Sequence, residues 1–413
     1  MAQDNICSKK RAGIPFLNVF PMRIAKFLAV FVLVTGLVYL VVFGLNFNVF
    51  KTVFTNQEAL AEGSEWIEKT YSLAGMTEFV AAHPDLVSVV LLSTDTTSTR
   101  QLSFQPLTPR AMGATTHFLL LLAYAEAVEL GEAAPSQEVE LQRLERFVVP
   151  GHEPNRHRES LLLLSQLGLA DEGLTTLDAI VRLMVTRNHQ PSADYVYHRL
   201  GADRVTATVK KWLGDQAELP LTWSAFYTAA TLDMLPYDAQ TNRARRDRLA
   251  EQARIVFEQL DSESMSVTGL LPEERKNDVA YTFFEEKALY RLHPHVIPDH
   301  LARTMLHVLT DPEFPGRNIV MEHMRWPMEN PEIMRDFSDV GAVFDSRIAV
   351  SNGVSFGTSA YTGETFASVT FFDQLPVGFW MHMSSNLINQ DFQLRMKFDP
   401  AMFERTAASL NTN

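Results

Sequence analysis

The sequence has 413 residues, enough for one large domain or for two or three ordinary ones. Hydrophobic residues make up 46% and charged residues 21%, as in an average globular chain, which excludes wholesale disorder. The formal net charge of −13 excludes a chain-wide basic surface for nucleic acid. A single cysteine, Cys7, excludes an internal disulfide.

The first fifty residues predict a membrane anchor. The run from Phe27 to Leu45 is uncharged and mostly aliphatic, and as a helix it spans roughly 30 Å, the thickness of a bilayer core. Basic residues dominate the segment before it, so the positive-inside rule places residues 1–26 in the cytoplasm and the rest outside it. A cleaved signal peptide is the alternative, but its apolar core is only about 7–15 residues long and a small-residue cleavage site follows it directly. We therefore expect a single anchor over residues 27–50.

The elements after the anchor predict an α+β domain. Residues 51–84 form a linker and a helix from Ser64 to Ala82, followed by a strand from Leu86 to Thr94 and its hairpin partner from Thr99 to Gln105. Two further helices are predicted at Phe118–Val128 and Leu177–Val185, and the stretch from 220 to 331 has mostly helical patterns.

The last part of the chain predicts consecutive antiparallel strands at Arg347–Ser355, Ala360–Phe372 and Val377–Ser384. A helix is expected at Asp391–Leu410. Strands at both ends with helices between them indicate one antiparallel sheet, made of the N- and C-terminal strands, with an inserted helical region. We take residues 85–390 as the main domain and residues 391–413 as a C-terminal helix and tail.

Three segments occur in an order typical of one enzyme superfamily. They lie before the apolar helix that ends at Gly131, after the helix at Leu177, and on the strand that begins at Arg347. Their order and spacing resemble the serine β-lactamase and penicillin-binding (DD-peptidase) superfamily, class A in particular, with its motifs S-x-x-K, S-D-N and K-T-G. The corresponding positions in this chain are Ala114 and His117, then Asn188, His189 and Gln190, then Ser351, Asn352 and Gly353. A second register for the last motif uses Ser355, Phe356 and Gly357.

The resemblance implies a fold whose acyl-transfer chemistry has been lost. Acyl transfer needs a nucleophilic hydroxyl, and the methyl group of Ala114 cannot supply one. The motif lysines, which activate that hydroxyl and attract the substrate carboxylate, are missing as well. A class A enzyme also has a deacylating glutamate after S-D-N, yet no glutamate occurs between Glu218 and Glu251. We therefore expect no catalytic residues, no cofactor and no metal.

The predicted function is a bacterial inner-membrane protein with a periplasmic β-lactamase-like domain, a pseudoenzyme that binds or scaffolds in the cell envelope. A peptidoglycan-like peptide or an envelope protein is the expected partner. The alternative is an active serine hydrolase, a β-lactamase or a peptidase or esterase, with a rearranged site around His117, His189 and a nearby hydroxyl. Thr115 or Thr116, beside His117, offers such a hydroxyl, with helix capping as its simpler role, and Ser192 is a further candidate.

Two charged clusters have simpler interpretations. The histidines at 293, 295, 300 and 307, with Asp299, lack the spacing of known zinc motifs, so we expect a histidine-rich loop. The arginines at 243, 245, 246 and 248 indicate a solvated helix face, with a contact to anionic lipid or an anionic polymer as the alternative.

Overall fold

The computed structural model describes residues 31, 54–152, 154–233, 243–262, 264–277, 279, 281–326 and 335–411. The predicted anchor therefore lies outside the described residues, apart from Phe31. Within the described ranges, no helix combines the length and the apolar character that crossing a membrane requires. Contacts divide the chain into one unit that ends at Gln57 and a second that begins at Glu58. The fold is that of the second unit.

Five strands form the central antiparallel sheet, in the order β2-β1-β10-β9-β8. Two small sheets, β3-β7 and β4-β6-β5, lie outside it. The strands are β1 Val87–Ser93, β2 Leu102–Phe104, β3 Arg110–Ala111, β4 Glu138–Glu140, β5 Ala170–Asp171, β6 Leu174–Thr176, β7 His295–Val296, β8 Phe337–Arg347, β9 Val350–Ser359 and β10 Thr365–Phe372.

The helices lie on both faces of this sheet and in the long stretch between β3 and β8. Short 3₁₀ segments occur at Lys69–Tyr71, Leu141–Phe147 and Glu273–Arg275. The helices are α1 Gln57–Ala61, α2 Ser64–Ile67, α3 Leu73–Ala82, α4 Thr115–Glu129, α5 Pro154–Gln166, α6 Leu177–Arg187, α7 Gln190–Leu200, α8 Ala202–Leu213, α9 Trp223–Asp233, α10 Arg243–Asp261, α11 Val267–Leu270, α12 Phe283–Tyr290, α13 Pro298–Thr310, α14 Arg317–Met324, α15 Val377–Ser385, α16 Ile388–Phe398 and α17 Pro400–Asn411.

The sheet is buried on both faces, which explains the continuous apolar run of β1. Val90 faces the core shared with α4 and α13, whereas Val89 and Leu91 face the core shared with α3 and α16. Because successive side chains of a strand point to opposite faces, two cores require apolar residues at every position. The predicted α+β architecture, with terminal strands in one sheet and an inserted helical region, is confirmed.

Several predicted elements need correction. Val377–Ser384 is helix α15 and not a strand, because a short apolar run fits either structure and Pro376 here starts a helix. Strand β8 was not predicted. The helix expected at Ser64–Ala82 is interrupted where Ser72 caps α3, with its hydroxyl accepting a hydrogen bond from the Gly75 N–H at 3.1 Å.

The C-terminal and histidine-rich segments also differ from expectation. The helix expected at Asp391–Leu410 is two helices, because Asp399 has extended backbone before Pro400, which opens α17. The histidine-rich stretch is a loop only in part, since Pro298 starts helix α13. Among the described residues, no group of three or more histidine, cysteine or acidic side chains is placed to hold a metal ion.

The arginine cluster does not form one solvated face. Arg243 is exposed, but Arg245 is buried and Arg246 pairs with Glu218 at 2.8 Å. The side chains of α10 therefore divide between solvent and the protein interior.

Candidate functional site

The first motif position lies at the start of α4, where the chain turns sharply. Gly113 has a φ of +52°, a region that favours glycine, and Ala114 follows it as the N-cap with no side-chain hydrogen bond. Two bonds fix this turn: the Met112 N–H donates to the Pro294 carbonyl at 2.8 Å, and the Thr115 hydroxyl donates to the Met112 carbonyl at 2.5 Å. The Ala114 methyl group therefore occupies a rigid, buried position.

His117 lies one turn into the same helix and is fully buried. Its Nε2 accepts a hydrogen bond from the Trp223 Nε1–H at 3.4 Å. Burial, followed by the nearby Arg347 guanidinium, lowers the pKa of His117 to about 3. The imidazole is therefore neutral at pH 7, and no hydroxyl is among its hydrogen-bond partners in the described part of the chain.

Asn188 connects the second motif to the sheet. It ends α6 in a left-handed conformation, φ +48°, which asparagine tolerates better than most residues. Its Nδ2 donates to the Phe344 carbonyl of β8, and its own carbonyl accepts from Arg347 Nη2 at 3.4 Å. Asn188 thus holds the end of α6 against β8.

His189 belongs to a different hydrogen-bonding network. Its Nδ1 lies 2.7 Å from the Ser192 hydroxyl, and its Nε2 lies 2.9 Å from His157 Nδ1. The other nitrogen of His157 lies 3.0 Å from a Glu145 carboxylate oxygen. Gln190 lines a small cavity of about 20 Å³ together with both histidines. A continuous hydrogen-bonded chain therefore runs from the exposed Glu145 through His157 and His189 to the buried Ser192.

The residues of the third motif lie on both faces of strand β9, because successive side chains of a strand point to opposite faces. Asn352 faces α4, and its Nδ2 donates to the Ala111 carbonyl at 2.7 Å. Ser351 faces the opposite layer and accepts a hydrogen bond from Asn389 of α16. Gly353 lies on that same face, where a Cβ atom would lie only 2.2 Å from the Phe344 ring. In the other register, Ser355 also faces α16 and accepts a hydrogen bond from Lys397 at 2.7 Å.

The structure therefore brings together part of the predicted site. Gly113 lies against Asn352, since a Cβ added to it would be 3.1 Å from Asn352 Nδ2. His117 and Asn188 lie beside this pair, close to Arg347. We call this group the motif cluster: Ala114, His117, Asn188 and Asn352. His189 and Gln190 lie in the separate network, and Ser351 and Gly353 lie on the far face of the sheet.

A buried ion pair lies beside the motif cluster, and sequence analysis missed it. Arg347 Nε is 3.1 Å from Asp345 Oδ1, and the two side chains are 2% and 0% exposed. Asp345 pairs with Asn352 in the strand register, and the Arg347 guanidinium lies 5.5 Å from the centre of the Trp223 ring. The available signal was two opposite charges at i and i+2 in an otherwise apolar segment, which places both on one face of a strand.

A further buried acid lies behind Trp223. Asp194 accepts hydrogen bonds from the Trp223 and Ser224 backbone N–H groups at 2.8 and 2.6 Å. Burial raises the pKa of Asp194 to about 7, although these bonds oppose the rise. Asp194 holds the start of α9, and through it the Trp223 ring, in place.

The class of fold follows from this architecture: the chain has a β-lactamase-like fold, as the resemblance implied. Among solved structures, a β-lactamase from Xanthomonas campestris pv. campestris is 12% identical, with a TM-score of 0.44, over 83% of this chain and 98% of that chain. PBP-A is 10% identical, with a TM-score of 0.45, over 77% and 96%. A β-lactamase from Chitinophaga pinensis is 12% identical, with a TM-score of 0.45, over 83% and 99%. Likeness at such identities concerns the fold alone.

Comparisons at the level of sequence find no relative. No protein-family model matches this chain, and no curated protein matches it.

Proposed function

We propose that this protein is a pseudoenzyme with a β-lactamase-like fold that binds or scaffolds in the bacterial cell envelope. Residues 27–50 would anchor it in the inner membrane, with the domain in the periplasm. A peptidoglycan-like peptide or an envelope protein is the partner we expect. This goes beyond the fold, and it rests on the chemistry of the motif cluster.

One observation supports the loss of catalysis. The position where a relative would carry its nucleophile has the methyl group of Ala114, and the side chains around it are buried, with the Asp345–Arg347 pair among their neighbours. A methyl group cannot form an acyl-enzyme, and removing the nucleophile from a comparable machine costs about 10⁶-fold in rate. His117 does not act as a general base toward a hydroxyl, because its Nε2 already accepts a hydrogen bond from the Trp223 Nε1–H.

The test is labelling with a fluorescent penicillin followed by intact-mass measurement of the full chain. We expect no adduct in the wild-type protein. A stoichiometric acyl adduct would overturn the proposal. The variant Ala114→Ser restores a hydroxyl without the motif lysine that would activate it, so we expect it to stay unlabelled as well.

Anchoring and partner recruitment need separate experiments. Membrane fractionation of chains with and without residues 1–50 tests the anchor, since a shortened chain that remains in the membrane fraction contradicts it. Co-purification with residues 85–390 deleted tests recruitment. If every partner stays bound to the remaining segment, the domain is not the binding module.

A second candidate function, a serine hydrolase with a rearranged site, is favoured by the chain of Glu145, His157, His189 and Ser192. A carboxylate only accepts hydrogen bonds, so His157 Nε2 must carry the proton it shares with Glu145. His157 Nδ1 then accepts from His189 Nε2, and His189 Nδ1 accepts from the Ser192 hydroxyl. This is the direction of proton transfer that a nucleophilic serine needs.

Burial ranks this candidate second, because Ser192 is 0% and His189 1% exposed. Labelling with a fluorophosphonate and hydrolysis of a 4-nitrophenyl ester test it. If the network is catalytic, His189→Ala abolishes both signals and His117→Ala keeps them. If the protein is a pseudoenzyme, wild type and both variants give the background rate.

A further inference from the structure

A cavity of about 470 Å³ lies apart from the motif cluster, between α10, α8 and the segment 218–222. This volume falls within the range of small-molecule sites, roughly 300–1,000 Å³. None of the four residues of the motif cluster lines it. The cavity is therefore a distinct feature that the proposed function does not use.

One end of the cavity is apolar and aromatic. The Phe257 ring meets the Tyr197 ring edge-on, with centroids 5.0 Å apart. The Tyr197 hydroxyl donates to the Pro220 carbonyl at 3.3 Å, so its polar group already has a partner. Leu221 and Ala225 continue this wall. A ligand at this end gains by removing apolar surface from water.

The opposite end is polar but carries no net charge. Arg246 Nη2 donates to Glu218 Oε1 at 2.8 Å, and the other carboxylate oxygen accepts from the His295 backbone N–H at 2.8 Å. Arg246 Nη1 also lies 3.2 Å from His295 Nδ1. Burial, followed by Arg246, lowers the pKa of His295, which keeps that ring neutral at pH 7. The guanidinium and the carboxylate neutralise each other.

The other charged side chains of the lining lie on α10, are exposed to water and already take part in ion pairs. Arg254 lies 2.6 Å from Glu251 and also contacts Glu258. Asp247 remains well exposed to water, 3.8 Å from Arg243. A charged ligand would lose hydration without finding an unmatched opposite charge inside. An uncharged ligand loses much less.

The geometry points to a binding site for an uncharged, predominantly apolar small molecule. Its apolar body would lie against Phe257 and Leu221, and its one polar group would accept or donate a hydrogen bond at the Glu218–Arg246 end. This site does not depend on the proposed function of the motif cluster.

The experiment compares three probes with one apolar body and different heads: 4-butylbenzyl alcohol, 4-butylbenzoate and 4-butylbenzylammonium. Binding to the full chain in detergent is measured by ligand-observed NMR. We expect the alcohol to saturate one site and both charged probes to bind at least tenfold more weakly. Partition of a given probe into the micelle is equal for all variants, so the binding of each probe to the cavity is taken as the difference between wild type and Ala250→Trp, and these differences are compared between probes.

Two tryptophan variants on one helix locate the site. Ala250 is half-buried and lines the cavity, so Ala250→Trp should weaken binding of the alcohol at least tenfold. Ala244 is exposed on the same helix and does not line it, so Ala244→Trp should bind like wild type. Ala202→Trp fills the cavity from α8 and replaces Ala250→Trp if that variant does not fold.

Three results would overturn the inference. They are no saturable binding of the alcohol, equal binding of a charged probe, or an equal loss in Ala244→Trp and in the cavity variants. None of them bears on penicillin labelling, so failure here and failure of the proposed function are distinguishable.

Discussion

The two faces of the central sheet bury cationic side chains in different ways. Toward α4, Arg347 lies 3.1 Å from the Asp345 carboxylate. Toward α16, the fully buried Lys397 donates to the Ser355 hydroxyl at 2.7 Å and has no ion pair among the described residues. Burial lowers the pKa of Lys397 to about 7. The pair lets Arg347 stay charged, whereas the unpaired amine begins to give up its proton near neutral pH.

Because the buried charge of Arg347 is balanced by Asp345, we predict that loss of this carboxylate strongly lowers the stability of the fold. Asp345→Asn leaves a buried guanidinium without its counter-charge, which we expect to lower the free energy of unfolding by about 3–5 kcal/mol. Urea denaturation measures this. The control is Asp391→Asn at the exposed Asp391–Arg395 pair, where a loss of about 1 kcal/mol or less is expected. A similar loss at both sites would contradict the interpretation.

The free energy of unfolding should depend on pH through Lys397, and the variant Lys397→Met should remove this dependence. Between pH 7 and 10.5 the unfolded chain holds a proton on Lys397 that the folded chain has released, so stability rises with pH in this window. We expect the free energy of unfolding of wild type, relative to Lys397→Met, to rise by about 2 kcal/mol from pH 7 to pH 9. Denaturation at each pH measures it, with the surface variant Lys276→Met as control. If the difference between wild type and Lys397→Met does not change with pH, the pKa of Lys397 is not lowered in the folded protein.

The hairpin that carries Arg347 contains a smaller source of instability. Ala349 has a φ of +63° in the two-residue connection between β8 and β9. Glycine adopts this conformation without a Cβ clash, so Ala349→Gly should raise the free energy of unfolding by about 0.5–1 kcal/mol. Ala342→Gly, within β8, should lower it by a similar amount. If both variants are destabilised, the hairpin is not strained.

The smallest expected effect concerns His117 on the paired face. With a pKa of about 3, its ring should not take up a proton as the pH falls from 8 to 5. Its ¹H–¹⁵N resonances should stay constant over this range, with free imidazole in the same sample as the reference. A titration midpoint above pH 5 would mean that burial and Arg347 do not lower the pKa of His117 as described.

Sequence patterns predicted the parts of the fold that depend on local periodicity. Strand β1 and helices α4 and α6 have continuous or amphipathic apolar patterns and lie within a few residues of the expected bounds. Strand β8 was missed because Asp339, Asp345 and Arg347 interrupt its apolar pattern. Asp345 and Arg347 are nevertheless buried, because they pair with each other between the partner strand and Trp223.

The candidate site was predictable only where one short segment supplies it. The start of α4 and the end of α6 are such segments, and their motif residues lie together. Successive side chains of β9 point to opposite faces of the sheet, so Ser351 faces away from α4. When the position of the motif on the strand is uncertain by one residue, the sequence cannot predict which face Ser351 takes. The partner of His189 lies 32 residues away on α5, a separation that no local pattern reports.

The sheet order has a consequence for synthesis on the ribosome. Thr94, which follows β1, bonds to Thr365, at the start of β10, 271 residues later in the chain. Strand β1 therefore emerges early with one edge open, and its neighbour follows only when nearly the whole polypeptide has been translated. Folding must finish late, and until then the nascent chain exposes an apolar strand that is prone to aggregation.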